Sequence, residues 1–287
     1  MDDKQARQPA TRHIYLCCAS ADRTAAATIG TALRAQLQFD TAVWALPEDG
    51  SITARIEQHA AANDIVLILL SRACADTHWL NTEFGACQVA AALQDVTVLP
   101  VLIDHCSMPT SLAGAHCIDL RDDLHAAPAA LREHLNAEAE YDFRARNALT
   151  FKEAVAMLFR RLGFAVQPRA LLYTSDIDFL VSTRVQAATR DAQSSMWFVI
   201  ARYSDGERIS LSETTQLFYS LMTSPGVCRG LLVTNGQLTP IALGYANEYG
   251  RRPDREVEVL NGSRLGRLLA QHPDLVQRYF HRSVKQG

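Results

Sequence analysis

The stretch that decides the fold is DIVLILLS, at residues 64–71. Six consecutive aliphatic residues ending before Ser71 are typical of a strand that is buried on both faces of a parallel sheet. The segment DTHWLNTEFGA, at residues 76–86, then lies at the carboxyl edge of that sheet, where open α/β sheets bind ligands. Glu83 follows Trp79 by one helical turn in this segment, so Glu83 is a candidate site residue.

The patterns on both sides of this stretch alternate between strand and helix, which predicts a doubly wound α/β domain. A PEDG turn at residues 47–50 separates the second strand from the following helix. We place a first domain at residues 11–140, a linker at 141–150 and a second domain at 151–287. The elements predicted in the first domain are strands at 13–18, 42–46, 65–70, 96–103 and 116–120, and helices at 21–37, 52–62, 79–93 and 122–140.

Composition supports two domains of opposite charge. The 287 residues are 48% hydrophobic, which is enough to fill two cores. Residues 1–140 carry 9 Lys+Arg against 18 Asp+Glu, whereas residues 141–287 carry 19 against 13, so the halves have net charges of -9 and +6. This asymmetry favours two independent units and allows a polyanionic partner for the second, although ordinary surface variation also produces such differences.

The cysteines and the apolar runs indicate the compartment. Seven cysteines occur mostly within apolar runs and form no CxxC pair, which favours reduced thiols without a disulfide framework or a structural zinc site. The apolar stretches are much shorter than the roughly 20 residues that span a bilayer, and no basic-then-apolar leader is seen. We therefore expect a cytoplasmic protein without a membrane partner.

Several separated motifs make residues 11–140 similar to a bacterial TIR domain. YLCCASAD at 15–22 resembles the family's opening strand, with cysteines in place of its usual serine and tyrosine. The pattern TxWxxxEF at 77–84 resembles the family's SxWxxxEL motif, which is the most specific of the matches, and residues 64–71 and 98–104 resemble its third and fourth strands. The resemblance implies a flavodoxin-like α/β fold with a parallel sheet.

A further match concerns the second strand and the loop after it. Val43 and Trp44 resemble the end of the family's second strand, and residues 47–50 resemble its BB loop, although Leu46 stands where aspartate is common. TIR enzymes become active when neighbouring domains complete one site through this loop. The resemblance therefore implies a homo-oligomer formed through the TIR domains.

The TIR resemblance implies cleavage of NAD+, which is a substrate here, so no cofactor is expected. Breaking the nicotinamide N-glycosidic bond builds positive charge on the ribose, and a carboxylate stabilises that charge. Glu83 is the catalytic candidate. The candidate contacts to NAD+ are Trp44, Pro47, Asp49, Gly50 and Trp79.

Plainer interpretations exist for the same residues. Glu83 would complement a helix dipole, worth under about 1 kcal/mol, and many TIR domains are non-catalytic scaffolds. Trp79 and Trp44 would serve as packing residues, and residues 47–50 would form only a turn.

The second half resembles the Mrr-type restriction endonuclease domain of the PD-(D/E)XK superfamily over residues 148–270. The resemblance is carried by an amphipathic helix at 151–164, an Asp178-bearing strand, a strand at 196–203 and the segment GLLVTNGQLTPIA at 230–242. It implies a second α/β domain with a mixed sheet.

The catalytic residues of that superfamily are degraded in this chain. In active members an aspartate on one strand and a Glu or Gln on the next hold Mg2+, and a lysine two residues later activates water. Asp178 takes the first position, but Ile200 and Arg202 stand where the second ligand and the lysine belong. Isoleucine offers no ligand oxygen and arginine stays protonated, so we expect no metal site.

Lysine elsewhere in the chain offers little compensation. Lys4 and Lys285 lie in terminal segments, and Lys152 lies on the opening helix of the second domain, where we do not expect it to replace the lost lysine. The second domain is therefore predicted to be a pseudonuclease. Its arginines could bind the phosphates of a nucleic acid if they lie on one face of the domain. An ordinary solvated surface that is rich in arginine explains them equally well.

The combined hypothesis is a TIR NAD+ hydrolase effector in bacterial anti-phage defence, activated by oligomerisation. Its second domain would sense, recruit or assemble through a nucleic acid or a sensor protein. Two alternatives stay open, a non-catalytic adaptor and a DNA-cleaving restriction-type nuclease.

Overall fold

A computed structural model describes residues 12–37, 39–45, 52–75, 80, 84–106, 112, 115–138, 147–168, 177–183, 196–223, 229–252 and 255–280. The N-terminal domain alternates strands with helices, as its sequence predicts. Its strands are β1 (His13–Cys18), β2 (Asp40–Ala45), β3 (Ile65–Leu70), β4 (Thr97–Leu102) and β5 (Ile118–Asp119). Its helices are α1 (Arg23–Leu37), α2 (Ile52–His59), α3 (Arg72–Ala75), α4 (Phe84–Leu93) and α5 (Ala127–Glu138).

The N-terminal sheet is five-stranded and parallel, in the order β2-β1-β3-β4-β5. Every residue of β3 is buried, because this central strand is covered on both faces by helices. The strand order changes direction between β1 and β3, which makes the carboxyl ends of these two strands the topological switch point. The predicted doubly wound α/β fold is confirmed.

A buried carboxylate fixes the start of this sheet. Asp64 is 2% exposed, and its carboxylate accepts hydrogen bonds from the backbone N–H groups of His13, at 2.9 Å, and Ala61, at 2.8 Å. One side chain therefore satisfies a donor at the start of β1 and another in the turn before β3.

The C-terminal domain contains a six-stranded sheet of order β10-β11-β9-β8-β7-β6. The pairs β8–β9 and β9–β11 are parallel, whereas β6–β7, β7–β8 and β10–β11 are antiparallel, so the predicted mixed sheet is confirmed. The strands are β6 (Phe164–Pro168), β7 (Phe179–Thr183), β8 (Met196–Arg202), β9 (Arg229–Thr234), β10 (Arg251–Arg252) and β11 (Arg255–Leu260). The helices are α6 (Ala148–Arg161), α7 (Leu211–Thr223), α8 (Pro240–Tyr249), α9 (Gly262–Ala270) and α10 (Pro273–Tyr279).

Helix α6 opens the C-terminal domain and has a defined cap at each end. Asn147 caps its start by accepting a hydrogen bond from the backbone N–H of Thr150 at 2.9 Å, so the helix begins within the predicted linker at 141–150. It ends before Gly163, whose φ of 88° lies in the left-handed region that glycine tolerates best.

One hydrophobic cluster contains residues of both domains, which corrects the expectation of two independent units. Val89 and Ala92 of α4 are buried in the same cluster as Phe151 of α6 and Leu265 and Leu269 of α9. Nearly all residues of α4 are buried, because this helix packs on the N-terminal sheet with one side and on the C-terminal domain with the other. We call this contact between α4 and the C-terminal domain the seam.

Among the described helices, none combines the length and the hydropathy that a membrane span requires.

Candidate active site

The candidate site lies at the carboxyl ends of β1 and β3. Asp22 ends the short 3-10 turn that follows β1, and Ser71 follows β3 directly. The Ser71 hydroxyl donates a 2.6 Å hydrogen bond to the Asp22 carboxylate and accepts one from the backbone N–H of Cys74 at 3.2 Å. The pair thus joins the two strands at the switch point and caps the helix that leads towards segment 76–83.

An ion pair flanks this point. Arg72 of α3 donates to the carboxylate of Asp104, with Nε 2.8 Å and Nη2 3.3 Å from its two oxygens. The hydrogen bond from Arg72 lowers the pKa of the Asp104 carboxyl below its ordinary value. Because 77% of the Arg72 side chain is exposed, this pair orients charge at the sheet edge but contributes little to stability.

Five of the predicted site residues lie outside the described part of the chain. They are Pro47, Asp49, Gly50, Trp79 and Glu83. Their positions in the chain are nevertheless bracketed by described residues: Ala45 and Ile52 flank the predicted BB loop, and Ala75 and Phe84 flank segment 76–83. Leu80 and Phe84 are fully buried in the core beneath the sheet.

Trp44 is described, and its ring is held by aromatic packing. The ring stacks on Tyr15 with centroids 4.0 Å apart and an interplanar angle of 24°, and it lies edge-on to His59 at 6.3 Å. Tyr15 is itself anchored by a 3.0 Å hydrogen bond from its hydroxyl to the carbonyl of His59. The structure thus ties Trp44 to α2, the helix that follows the predicted BB loop, and its contact with NAD+ stays a prediction.

The cysteines of the opening strand are not activated nucleophiles. Cys17 and Cys18 are buried. Burial raises the pKa of the Cys17 thiol well above its usual range, and the nearby Cys87 adds to the effect. Burial and the charge of Asp22 raise the pKa of Cys18 as well. Raised pKa values disfavour the thiolate form, which is the nucleophilic form of cysteine.

A second cluster surrounds Asp178 in the C-terminal domain. The Asp178 side chain is 11% exposed, and its Oδ1 accepts a hydrogen bond from Lys152 Nζ at 2.6 Å. Its Oδ2 accepts a hydrogen bond from the backbone N–H of Ala201 at 2.9 Å. Lys152 does reach the position beside the aspartate, contrary to our expectation, because α6 packs against β6 and β8 of the same sheet.

The faces of β8 show which of its residues share a side with Lys152. Val199 and Ala201 belong to the core cluster that contains Phe151 of α6, whereas Ile200 belongs to the cluster on the opposite face of the sheet. Because side chains alternate along a strand, the Arg202 side chain leaves β8 on the same face as Ile200, opposite to Val199 and Ala201. The positions beside Asp178 and Lys152 are therefore Val199 and Ala201, not Ile200 and Arg202.

Neither Val199 nor Ala201 supplies a metal ligand or a lysine. In the described part of the chain, no group of three His, Cys, Asp or Glu side chains is arranged to hold a metal ion. Instead, Lys152 and a backbone N–H occupy the two oxygens of Asp178. The groove beside this pair, about 520 Å³ in volume, is also lined by Glu153, Arg160 and Arg278.

These features define a two-domain α/β protein, with a doubly wound parallel sheet followed by a mixed sheet that keeps a nuclease-like Asp–Lys pair. Residues 14–135 match the family model of the TIR domain, and residues 143–269 match that of the Mrr-type restriction endonuclease. The chain therefore consists of a TIR domain followed by a restriction endonuclease-like domain.

Comparisons with individual proteins add little. No curated protein matches the chain. The solved MspJI restriction endonuclease in complex with a 27-mer oligonucleotide is 14% identical with a TM-score of 0.30 over 54% of this chain, and the chain spans only 34% of that structure's length. A ketoreductase domain from the bacillaene assembly line is 10% identical with a TM-score of 0.25 over 90% of this chain and 53% of its own. Similarities this weak carry no argument about function.

Sequence reasoning missed the Asp22–Ser71 pair and the Lys152–Asp178 contact. The first was open to prediction, because Asp22 follows β1 and Ser71 follows β3, and the carboxyl ends of parallel neighbouring strands meet at one edge of the sheet. The second depends on how α6 crosses the sheet, which spacing along the chain does not give.

Proposed function

We propose that this protein is a TIR-domain NAD+ glycohydrolase, an effector of a bacterial anti-phage defence system, with Glu83 as its catalytic residue. The observation that carries the proposal is the location of segment 76–83 in the chain. The segment joins α3, capped at the switch point by Ser71, to α4, which is anchored in the core beneath the same sheet. The TIR family match supports the activity.

The proposed reaction hydrolyses one bond. The bond from ribose C1′ to the nicotinamide ring nitrogen breaks, and its electron pair goes to the ring, which becomes neutral nicotinamide. Water adds to C1′ and releases a proton, which gives ADP-ribose. The Glu83 carboxylate would stabilise the oxocarbenium-like transition state and hold the ribose hydroxyls, whereas the cationic ring is already a good leaving group.

We further propose that activity depends on self-association through the TIR domains, with residues 47–50 completing the site of a neighbour. Trp44, Pro47, Asp49, Gly50 and Trp79 are the proposed contacts to NAD+. The C-terminal domain would sense or recruit the trigger, either a nucleic acid or a sensor protein, and its net charge of +6 over residues 141–287 suits a polyanion.

The experiment measures nicotinamide release from NAD+ by the full chain over a range of protein concentrations. We expect the rate per molecule to rise as the protein self-associates, and Glu83→Gln to lower it by about 100-fold or more, as loss of a key electrostatic group does. Glu133→Gln is the matched control, because Glu133 lies exposed on α5 of the same domain. Self-association without any nicotinamide release would instead identify a non-catalytic adaptor.

The contact between Lys152 and Asp178 favours a second candidate, a DNA-cleaving nuclease, because an aspartate beside a lysine is part of that chemistry. The neighbouring positions argue against it. Val199 and Ala201 face the pair from β8 and supply no oxygen that would complete a Mg2+ site. We therefore propose that the C-terminal domain does not cut DNA.

A further inference from the structure

Helix α4 follows Glu83 directly in the chain and is held along its whole length by the C-terminal domain. Its residues are almost all buried, and the helix lies between the N-terminal sheet and the C-terminal core. A helix buried on both sides cannot shift without breaking contacts with one of them. The seam therefore fixes the helix that begins at Phe84, the residue after Glu83 in the chain.

The first contact of the seam is made at the start of α4 by backbone alone. A Cβ atom placed on Gly85 would lie 1.7 Å from the carbonyl oxygen of Leu162, at the end of α6. No side chain fits in that space, so glycine lets the two backbones approach closely. This contact is two residues from Glu83 in the chain.

The middle of α4 is fixed by polar and apolar contacts. The amide of Gln88 donates a short hydrogen bond to the side-chain oxygen of Gln271, and both residues are 2% exposed. The backbone carbonyl of Gln271 accepts a hydrogen bond at 2.8 Å from the backbone N–H of His116, in the loop before β5. A buried pair of this kind specifies one register of the two domains, because a shift leaves buried amides unpaired.

The end of α4 is held by charge. Asp95, in the turn after α4, lies 2.9 Å from Arg264 Nη2 and 3.0 Å from Arg267 Nη2, both on α9. Burial alone would raise the pKa of Asp95, but the hydrogen bond from Arg264 and the charges of both arginines bring it below its ordinary value. The carboxylate is therefore ionised at neutral pH and bound at both oxygens.

From these contacts we infer that the C-terminal domain positions Glu83 through α4, so that the TIR site has its working geometry only when the seam is intact. Leu162, Arg264, Arg267 and Gln271 are then positioning residues for the proposed reaction, although none of them belongs to the TIR domain. The inference rests on the proposed NAD+ hydrolase function and extends it. A partner that moves α6 or α9 would change NAD+ cleavage by moving α4.

The test compares two glycine-to-alanine variants of the full chain. Gly85→Ala pushes a methyl group into the Leu162 carbonyl, whereas Gly244→Ala, on α8, meets no atom within 4 Å and serves as the matched control. Nicotinamide release per folded molecule and hydrogen exchange of residues 84–93 are measured for both. We expect Gly85→Ala to lower kcat by about 10-fold to 100-fold, with KM nearly unchanged and faster exchange in α4, and Gly244→Ala to match the parent.

A second variant keeps the test decisive if Gly85→Ala folds poorly. Asp95→Asn preserves shape and tolerates the φ of 62° at this position, but it removes the charge that both arginines bind. We expect a several-fold loss of kcat with the same change in exchange of α4. Unchanged or increased kcat in the folded seam variants would overturn the inference, whereas a parent chain without Glu83-dependent activity would overturn the proposed function itself.

Discussion

Asp178 is a carboxylate whose two oxygens are both occupied. Lys152 Nζ binds one at 2.6 Å and the backbone N–H of Ala201 binds the other at 2.9 Å. With the side chain only 11% exposed, the lysine neutralises a charge that would otherwise be costly to bury. The two hydrogen bonds therefore tie Asp178 to α6 and to β8.

We predict that Asp178 does not support Mg2+-dependent cleavage of DNA. We expect the full chain with Mg2+ to nick supercoiled plasmid no faster than its Asp178→Ala variant does, since the positions beside Asp178 supply no further ligand oxygen. The measurement is conversion of supercoiled to open-circular DNA on a gel. Nicking that requires Mg2+ and disappears in Asp178→Ala would show instead that the nuclease site still functions.

Residue patterns predicted Asp178 but not its lysine. Asp178 stands just before an apolar strand, where the resemblance to the endonuclease family places it. Lys152 lies 26 residues earlier on α6, and only the packing of that helix over the sheet brings the two together. The sequence prediction also placed the wrong residues of β8 beside Asp178, namely Ile200 and Arg202 instead of Val199 and Ala201. The cause is similar, because the face that a strand residue occupies depends on the register of the sheet.

At the level of elements, β3 is held in place by Asp64 as well as by its apolar side chains. The Asp64 carboxylate is buried and accepts two backbone hydrogen bonds, one from the start of β1 and one from the turn before β3. Removing it leaves both N–H groups without this partner in a site that water does not reach easily.

We predict that Asp64→Ala destabilises the chain by about 1–3 kcal/mol, the typical cost of leaving buried donors unsatisfied. Urea denaturation at neutral pH measures the change in the free energy of unfolding. Asp122→Ala is the control, because Asp122 is exposed in the same domain, and we expect it to change stability by less than about 0.5 kcal/mol. Equal stability of the Asp64→Ala variant and the parent would refute the role assigned to this carboxylate.

Elements with a strong apolar pattern were predictable from the sequence, whereas their partners in the fold were not. The run at 65–70 is the buried strand β3, and residues 151–161 of the amphipathic pattern at 151–164 belong to α6, which ends at Arg161. We made no prediction for β11 and α9, although both carry a pattern. The sequence REVEVL of β11 alternates charged and apolar residues, and Leu265, Leu268 and Leu269 of α9 follow helical spacing. Their neighbours, β9 for β11 and α4 for α9, are distant in sequence and were not predictable from either pattern.

At the level of the whole molecule, the seam makes the two domains one packed body. The opposite net charges of the two halves suggested two independent domains. Charged residues lie mostly at the surface, however, so net charge does not indicate whether two domains share buried apolar contacts. The better signal was α4 itself, FGACQVAAAL, which is apolar on all sides and therefore requires partners on all sides. The location of those partners, on α6 and α9, depends on contacts between residues far apart in sequence.

A buried histidine beside the seam gives the molecule a pH dependence. His272 is 1% exposed, and neither ring nitrogen has a hydrogen-bond partner among the described residues. Burial lowers the pKa of His272 to about 4 from the usual 6.5. Below pH 6.5 the unfolded chain therefore takes up a proton that the folded chain refuses until about pH 4, so stability falls as the pH drops through this window.

We predict that His272→Leu removes this part of the pH dependence. Between pH 7 and pH 4 the free energy of unfolding of the parent should fall by up to about 3 kcal/mol more than that of the variant. Urea denaturation across this pH range supplies the comparison, with His125→Leu, at an exposed position, as the control. Parallel curves for the parent and His272→Leu would mean that burial does not lower the pKa of His272 in the folded protein.

The most direct test of the central claim is the rate of nicotinamide release from NAD+ by the full chain and by its Glu83→Gln variant, measured side by side at the same high protein concentration. We expect the parent chain to release nicotinamide and Glu83→Gln to release it at least about 100-fold more slowly, with folding and self-association unchanged. Equal rates for the two proteins, or no release by either at any concentration, would contradict it.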